Sequence, residues 1–216
     1  MLNRLVAVLA LCPAFAVAEP QTLTADIWVD NWFAMSVNGA LVLEDSVPIT
    51  TERSFNAETA TFTADLPMTI AIIAKDFKEN DTGLEYIGTR RQQMGDGGLI
   101  AQFKDASGAT VAVTNSDTRC LVVHRAPVDV TCAASFNPVE DTGACASEVT
   151  EIPADWTSPS FDDSGWPAAT EHSARAVGPK GGYDEISWDR SAALIWSNDL
   201  VQDNTLLCRM VIDVRG

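Results

Sequence analysis

Positive charge is scarce in this sequence. Among 216 residues, 14 Lys and Arg stand against 30 Asp and Glu, which gives a formal net charge of −16. A protein that binds nucleic acid needs Lys and Arg to displace the counterions of the phosphates, so this balance argues against such a partner. The same charge disfavours adsorption to anionic lipid. Neither nucleic acids nor anionic membrane surfaces are therefore expected as partners.

Histidine and the common catalytic motifs are also scarce. The chain has only His124 and His172, and it contains no Gly-x-Ser-x-Gly, His-Glu-x-x-His or P-loop pattern. A catalytic triad needs a base beside a nucleophile, and a hydrolytic metal site usually needs three strong ligands. A pair of carboxylates such as Asp162 and Asp163 is the hydrolase chemistry that is left. Because acidic residues are so abundant, we rank a carboxylate-dependent glycoside hydrolase last.

No apolar run approaches the eighteen or so residues of a membrane span. Residues 1–18 are typical of a secretory signal peptide, with Arg4, an apolar run at 5–11 and small residues at 16–18. We expect cleavage before Glu19, one domain over 19–216, a secreted or periplasmic location and no membrane span. A lipoprotein anchored at Cys12 is a weaker alternative, because Leu11 stands where a lipobox has a small residue.

Four cysteines follow the predicted signal peptide. An even number in an oxidising compartment predicts two disulfides, and the sequence leaves all three pairings open. No Cys-x-x-Cys spacing occurs, which argues against a zinc or thioredoxin-like site. The four residues are Cys120, Cys132, Cys145 and Cys208.

Strand patterns dominate the chain, and no fifteen-residue stretch keeps a helical period, so we expect helices of a single turn. Asn38-Gly39 between two alternating runs predicts a tight hairpin. Polar, Gly-rich loops separate the strands and predict long loops at one end of the fold. The predicted strands are 32–37, 40–43, 59–64, 68–75, 99–103, 110–113, 119–125, 192–196 and 205–214, and the loops are 77–98, 136–159 and 177–188. This organisation predicts an all-β, jelly-roll type β-sandwich with two disulfides.

Two segments resemble the galactose-binding-like β-sandwich of carbohydrate-active enzymes and lectins. Residues 25–39 (ADIWVDNWFAMSVNG) are similar to that family's "aDnwf-lyvNG" strand and hairpin. Trp156, Phe161-Asp-Asp-Ser-Gly-Trp166 and Ala192-Ala-Leu-Ile-Trp196 are similar to its "W…FDDSxW…A…IW" pattern. The two patterns stand in the reverse of the family's order, so the resemblance implies a circular permutation. It implies the sandwich fold and a carbohydrate ligand, but no sugar-binding residue set is matched.

We expect ligand contacts in the loop Arg90-Arg-Gln-Gln-Met-Gly-Asp-Gly-Gly98. Arg90, Arg91 and Gln92 carry planar groups that can hydrogen-bond hydroxyls or carboxylates, which suits a glycan or an anionic small molecule. Trp166 is the candidate aromatic platform, although a Trp in such a pattern is more often a core residue. Alternatively, the two arginines pair with Asp81 or Glu85 and only pin the loop.

Two metal hypotheses accompany the carbohydrate hypothesis. His124 and His172 together suit Cu(I), and strand alternation places His124 on the face of Val122. In its length, export and two histidines the chain resembles small copper-binding surface proteins of methane-oxidising bacteria. Those proteins also use an oxidised Trp, and one has Trp two residues before a His, where this chain has Val122 and Thr170. Calcium is the second hypothesis, with ligands from Asp76, Glu79 and Asp81.

The sequence thus predicts an exported, non-catalytic module that binds carbohydrate. An extracytoplasmic copper-binding protein is the alternative, and a hydrolase comes third.

Overall fold

A computed structural model describes residues 20–50, 56–76 and 79–213. The predicted signal peptide, including Cys12, lies outside the described residues. Within them the chain forms fourteen strands in three antiparallel sheets, and the one α-helix is the single turn α1 (Ala174–Val177). The predicted all-β class is confirmed, as is the prediction of single-turn helices. In the part of the chain that is described, no helix has the length and apolarity of a membrane span.

In the first large sheet, β1 lies between β8 and the edge strand β4. Beyond β8 come β13 and β12, and β9 also pairs with β8. Its strands are β1 (Gln21–Asp30), β4 (Ala57–Ala64), β8 (Gly98–Lys104), β9 (Thr110–Val113), β12 (Thr170–His172) and β13 (Leu194–Trp196).

The second large sheet has the order β11-β10-β14-β5-β2-β3. Its strands are β2 (Trp32–Val37), β3 (Ala40–Glu44), β5 (Met68–Lys75), β10 (Arg119–Arg125), β11 (Glu148–Val149) and β14 (Asp203–Ile212). A small third sheet pairs β6 (Leu84–Glu85) with β7 (Gln93–Met94) inside the predicted loop 77–98.

The core lies between the two large sheets. Ile27 and Phe103 of the first sheet belong to the same buried cluster as Phe33, Ile70 and Leu206 of the second. Alternate residues of each strand contribute, because successive side chains point to opposite faces of a sheet. The protein is therefore a two-layer sandwich of antiparallel sheets.

The predicted hairpin at Asn38-Gly39 is confirmed. It joins β2 to β3, and both turn residues have positive φ angles, 50° at Asn38 and 87° at Gly39. Asn and Gly adopt such angles at little cost, which is why this dipeptide is a strong hairpin signal.

Strand β1 was not predicted, although it pairs with both β8 and β4 in the first sheet. Its sequence, QTLTADIWVD, has polar residues at both ends, and from Ala25 to Asp30 every residue is buried. Leu23, Ala25, Ile27 and Val29 pack in the core, while Trp28 on the other face is covered by later parts of the chain. The alternation of polar and apolar residues is interrupted only at Trp28, so this strand was predictable and was overlooked. Short strands β6, β7, β11 and β12 were also missed.

The two disulfides join Cys120 to Cys208 and Cys132 to Cys145. Cys120 and Cys208 are directly opposite each other on the neighbouring strands β10 and β14. Cys132 and Cys145 close a short excursion that connects β10 to β11. One bridge therefore holds the sandwich, and the other holds a loop.

The prediction that the long loops gather at one end is wrong. Residues 156–166 cover the outer face of the second sheet, where Trp156, Phe161 and Trp166 pack on Val123 and Leu207. Residues 177–188 cover the outer face of the first sheet, where Val177, Tyr183 and Trp188 pack around Trp28 and Ile100. Aromatic side chains make these loops coverings for the two sheets, because burying the rings removes much apolar surface from water.

Candidate functional site

A cleft of about 490 Å³ opens between the loop 88–92 and residues 133–136. We call it the Arg90–Phe136 cleft. It is lined by Gly88, Thr89, Arg90, Gln92, Ala133, Ala134, Ser135 and Phe136. It contains two of the three residues that the sequence places in a ligand-binding loop, together with an aromatic residue that the sequence analysis did not select.

The first wall of the cleft is a tight turn stabilised by its own hydroxyl. Thr89 Oγ1 donates to the carbonyl of Tyr86 at 2.7 Å and accepts from the amide of Arg91 at 3.1 Å. Tyr86 and Gly88 have positive φ angles of 52° and 73°. The turn projects Arg90 and Arg91 outward, and both side chains are exposed.

The second wall is a 3-10 turn at Val130–Ala134. The Asp129 carboxylate accepts the Thr131 amide at 2.9 Å and so caps this turn. Cys132 and Cys145 are buried against Leu84 of β6, which packs the second wall onto the first.

Gln92 ties the two walls together. Its Nε2 donates to the carbonyls of Ala133 at 2.9 Å and Ser135 at 2.8 Å, and its Oε1 accepts the amide of Gly88 at 2.9 Å. A side-chain amide has only two N–H donors, and both are used here. Gln92 therefore positions the cleft, and it has no hydrogen left to donate to a ligand.

Arg90 and Arg91 have different surroundings. The Arg91 guanidinium lies 4.4 Å from the centre of the Tyr86 ring, a cation–π contact that holds it on the turn. No ion pair joins either arginine to Asp81, Glu85 or another carboxylate in the residues that the structure describes. The alternative in which these arginines only pin the loop through ion pairs is thus not what the structure shows.

Phe136 stands at the rim of the cleft with 99% of its surface exposed. Most other aromatic residues of the described chain are packed into clusters. Trp166, the aromatic platform expected from the sequence, does not line this cleft. It is only 8% exposed and lies 5.4 Å from Phe161, ring centre to ring centre.

The two histidines lie in different sheets and have different partners. His124 Nδ1 is 3.3 Å from Asn204 Oδ1, and His172 Nε2 donates to the carbonyl of Ser197 at 2.7 Å. His124 is paired with Thr205, and the extra residue Val123 forms a bulge in β10.

The bulge overturns the expected position of His124 relative to Val122. Val122 pairs with Leu206, which lies in the core, whereas His124 pairs with Thr205 on the next, outward-facing row. An inserted residue shifts the alternation by one and sends the following side chain to the other face. His124 therefore lines an outer cleft with Lys75 and Val149. Copper binding by the two histidines stays a prediction.

The calcium hypothesis gains no support from the geometry. Asp76 is buried after β5, Glu79 is exposed, and Asp81 lines the outer cleft of His124. Within residues 20–50, 56–76 and 79–213, no three His, Cys, Asp or Glu side chains are grouped so that they could hold a metal ion.

The carboxylates of the FDDSGW segment are occupied by the fold. Asp163 Oδ2 accepts from Arg209 Nε at 2.7 Å, and Asp162 Oδ1 accepts the Ser164 amide at 3.0 Å. The hydrogen bonds to Ser164 hold the pKa of Asp162 below its usual value. These contacts make a turn and its anchor, and they explain the two aspartates structurally.

Asp30 is the most unusual acid of the molecule. It is fully buried at the end of β1, and neither carboxylate oxygen has a hydrogen-bond partner among the residues that the structure describes. Its pKa is raised to about 8, chiefly by burial; the negative charges of Asp96 and Glu85 contribute to the increase, and Lys180 opposes it. Lys180 Nζ lies 3.9 Å from Asp96 Oδ2. Asp30 is thus neutral over much of the physiological pH range.

Sequence reasoning missed Phe136, Ser135 and the backbone of 133–135. A single Phe between two cysteines of a polar loop is a weak signal, because an apolar residue there is equally compatible with packing under the loop. The cleft depends on the pairing of Cys132 with Cys145, which the sequence left open.

Comparison with known proteins adds no relative. No family model matches the chain, no curated protein matches it, and no solved structure matches it. The resemblance to galactose-binding-like sandwiches therefore stays a prediction that rests on the residues quoted above, and the function has to be argued from the site.

Proposed function

We propose that the protein is an exported, non-catalytic module that binds carbohydrate in the Arg90–Phe136 cleft. The observation that carries this proposal is the position of Phe136. Its ring is almost wholly exposed at the rim of a cleft that is also lined by Arg90, whose guanidinium has no carboxylate partner among the described residues. An aromatic ring offers a flat apolar surface to the C–H face of a sugar, and Arg donates hydrogen bonds to hydroxyls.

The size and lining of the cleft support a small or oligomeric ligand. Its volume of about 490 Å³ falls in the range of small-molecule sites, which are about 300–1,000 Å³. Its lining combines small apolar residues, such as Ala133 and Ala134, with a few polar groups. That mixture lets a ligand bury its apolar faces while its hydroxyls are fixed by hydrogen bonds.

The cleft is also held in shape before any ligand arrives. The Cys132–Cys145 disulfide, the Asp129 cap and the two hydrogen bonds of Gln92 fix the second wall against the first. Preorganisation of this kind reduces the ordering cost of binding. A loop built only to connect β10 to β11 has no need of a disulfide of its own.

The cleft lining favours binding over hydrolysis. General acid–base catalysis needs a carboxylate, imidazole or similar group within reach of the reacting bond. None of the described residues that line this cleft carries one.

Export is part of the proposal. Residues 1–18 match a signal peptide, and two disulfides are typical of proteins that fold in an oxidising compartment. We therefore assign the protein to the periplasm or the cell exterior, where glycans are accessible.

A glycan array tests the proposal directly. The wild type is compared with Arg90→Ala/Arg91→Ala and with Phe136→Ala, and Arg175→Ala and Leu41→Ala serve as matched controls because both residues are exposed outside the cleft. We expect the wild type and both controls to bind the same glycans and the two cleft variants to lose most of the signal. Binding to no glycan, or equal binding by all five proteins, would remove the proposal.

A further inference from the structure

Several cations of the described chain pair with acids, whereas the two arginines beside the Arg90–Phe136 cleft do not. Lys104 pairs with Asp26 at 2.9 Å, and Arg209 pairs with Asp163 at 2.7 Å. Arg125 is similarly placed between two aspartates. Arg90 and Arg91 are adjacent in sequence, both are exposed, and neither has a carboxylate within 4.0 Å in the described chain.

Arg90 and Arg91 are adjacent on one turn beside the cleft, whereas Arg175 and Arg190, which also lack an ion pair in the described chain, do not line it. A turn that presents two arginines without a neighbouring carboxylate creates a local positive site. At physiological salt the Debye length is about 8 Å, so distant acids of the surface are largely screened from it.

The two arginines are not equivalent within this positive site. Arg91 is held on the Tyr86 ring at 4.4 Å, next to the cleft. Arg90 lines the cleft itself, opposite Phe136. A guanidinium presents a planar fork of N–H donors that matches the two oxygens of a carboxylate, and such charge-assisted pairs are roughly twice as strong as neutral hydrogen bonds.

We propose that the sugar bound in this cleft carries a carboxylate, as uronic acids do, and that Arg90 receives this carboxylate while Phe136 stacks on the ring. This inference rests on the proposed carbohydrate-binding function and specifies its ligand class. Arg91, beside the cleft, attracts the carboxylate through its positive charge and does not contact it directly.

The experiment compares acidic polysaccharides with their own neutral forms. Polygalacturonate and alginate, each with its methyl ester, are titrated with the wild type, with Arg90→Gln and with the matched control Arg175→Gln. The substitution Arg90→Gln removes the charge but keeps a planar hydrogen-bonding group. The Arg175 control changes the net charge equally on the exposed helix α1, away from the cleft lining.

We expect the wild type and Arg175→Gln to bind at least one of the acidic polymers about tenfold more tightly than its ester. This preference falls as NaCl is raised, because the contact is between charges. Arg90→Gln is expected to bind the acidic polymer and the ester with equal affinity, at the level the wild type shows for the ester.

Different results would refute the carboxylate assignment and the proposed carbohydrate binding. Equal binding of acid and ester by the wild type, or an acid preference that survives in Arg90→Gln, overturns the carboxylate assignment and leaves carbohydrate binding standing. Binding only to neutral or sulfated glycans on the array would also overturn the carboxylate assignment and leave carbohydrate binding standing. Absence of binding to any glycan removes the proposed function and the inference with it.

Discussion

The aromatic cap at 156–166 and the Arg90–Phe136 cleft are built from the same residue types with opposite results. Trp166 in the cap is 8% exposed and packs on Val123 and Leu207, whereas Phe136 at the cleft is 99% exposed. The cap buries its rings against a sheet, and the cleft leaves its ring in water. Aromatic content therefore says little about ligand binding until the surroundings of each ring are known.

The arginines of the two regions repeat this contrast. Arg209, under the cap, is 3% exposed, and it bonds Asp163 and the carbonyls of Trp156 and Ser158. Its guanidinium also lies 5.2 Å from the centre of the Phe161 ring. Arg90 has none of these partners. The guanidinium N–H groups of Arg209 bind other parts of the fold, whereas those of Arg90 are available to a ligand. The comparison therefore separates a structural region from a binding region.

The largest expected effect is on the cap. Trp166→Ala should lower the free energy of unfolding by about 3–5 kcal/mol, because it removes a buried ring and leaves a cavity above β10 and β14. Urea denaturation followed by far-UV circular dichroism measures this loss. A loss below about 1 kcal/mol would contradict the structural role assigned to the cap.

The second prediction concerns the acids beneath the cleft loop. Asp30 interacts with Glu85 and Asp96, which flank the cleft residues in sequence, and its pKa is raised from 3.8 to about 8. The folded protein thus holds the proton more tightly than the unfolded chain. Stability is full below about pH 4 and falls as the pH rises toward 8. By pH 7 the accumulated loss is on the order of 4 kcal/mol at about 1.4 kcal/mol per pH unit.

Asp30→Asn tests this linkage, since the amide cannot ionise. The variant should match the wild type at pH 4 and exceed its stability by several kcal/mol at pH 8, as measured by urea unfolding at both values. Asp162→Asn is the control, because the pKa of the exposed Asp162 is lowered and not raised. If the difference in unfolding free energy between the wild type and Asp30→Asn is the same at pH 5 and at pH 8, Asp30 is not a buried neutral acid.

The third prediction concerns the second wall of the cleft. The disulfide between Cys132 and Cys145 spans 13 residues, and its replacement by two alanines should cost about 3 kcal/mol through the entropy of the unfolded chain. Ligand affinity should fall as well, since the carbonyls that Gln92 holds lie beside Cys132. Denaturation and binding titrations of the double variant measure the two effects. Unchanged affinity would show that the wall keeps its shape without the bridge.

Much of the fold could be predicted from the sequence, because its signals are local. Alternation located β2, a continuous apolar run located β5, and Asn38-Gly39 located a hairpin. β1 was overlooked although Leu23, Ala25, Ile27 and Val29 alternate with polar residues except at Trp28. What could not be predicted is that residues 177–188, far along the chain, cover Trp28 on its outer face. The pairing of Cys120 with Cys208 likewise depends on a register between strands that lie 88 residues apart.

The candidate site was only half predictable. Arg90 stood out as a cation in a polar Gly-rich loop, and the structure places it in a cleft. Phe136 gave no comparable signal, and Gln92 proved to be a positioning residue whose donors face the backbone. The face of His124 was mispredicted since one bulged residue, Val123, reverses the alternation. Contacts between distant loops decide these roles, and a single sequence does not display them.

The comparison between cap and cleft depends most directly on Phe136. Its removal should change the free energy of unfolding by less than about 0.5 kcal/mol, because an exposed side chain loses no packing. The measurement is the affinity of Phe136→Ala for the best glycan of the array, set beside its unfolding midpoint. The account predicts an unchanged midpoint with affinity lowered about tenfold, equivalent to about 1.4 kcal/mol. Wild-type affinity in this variant would contradict it.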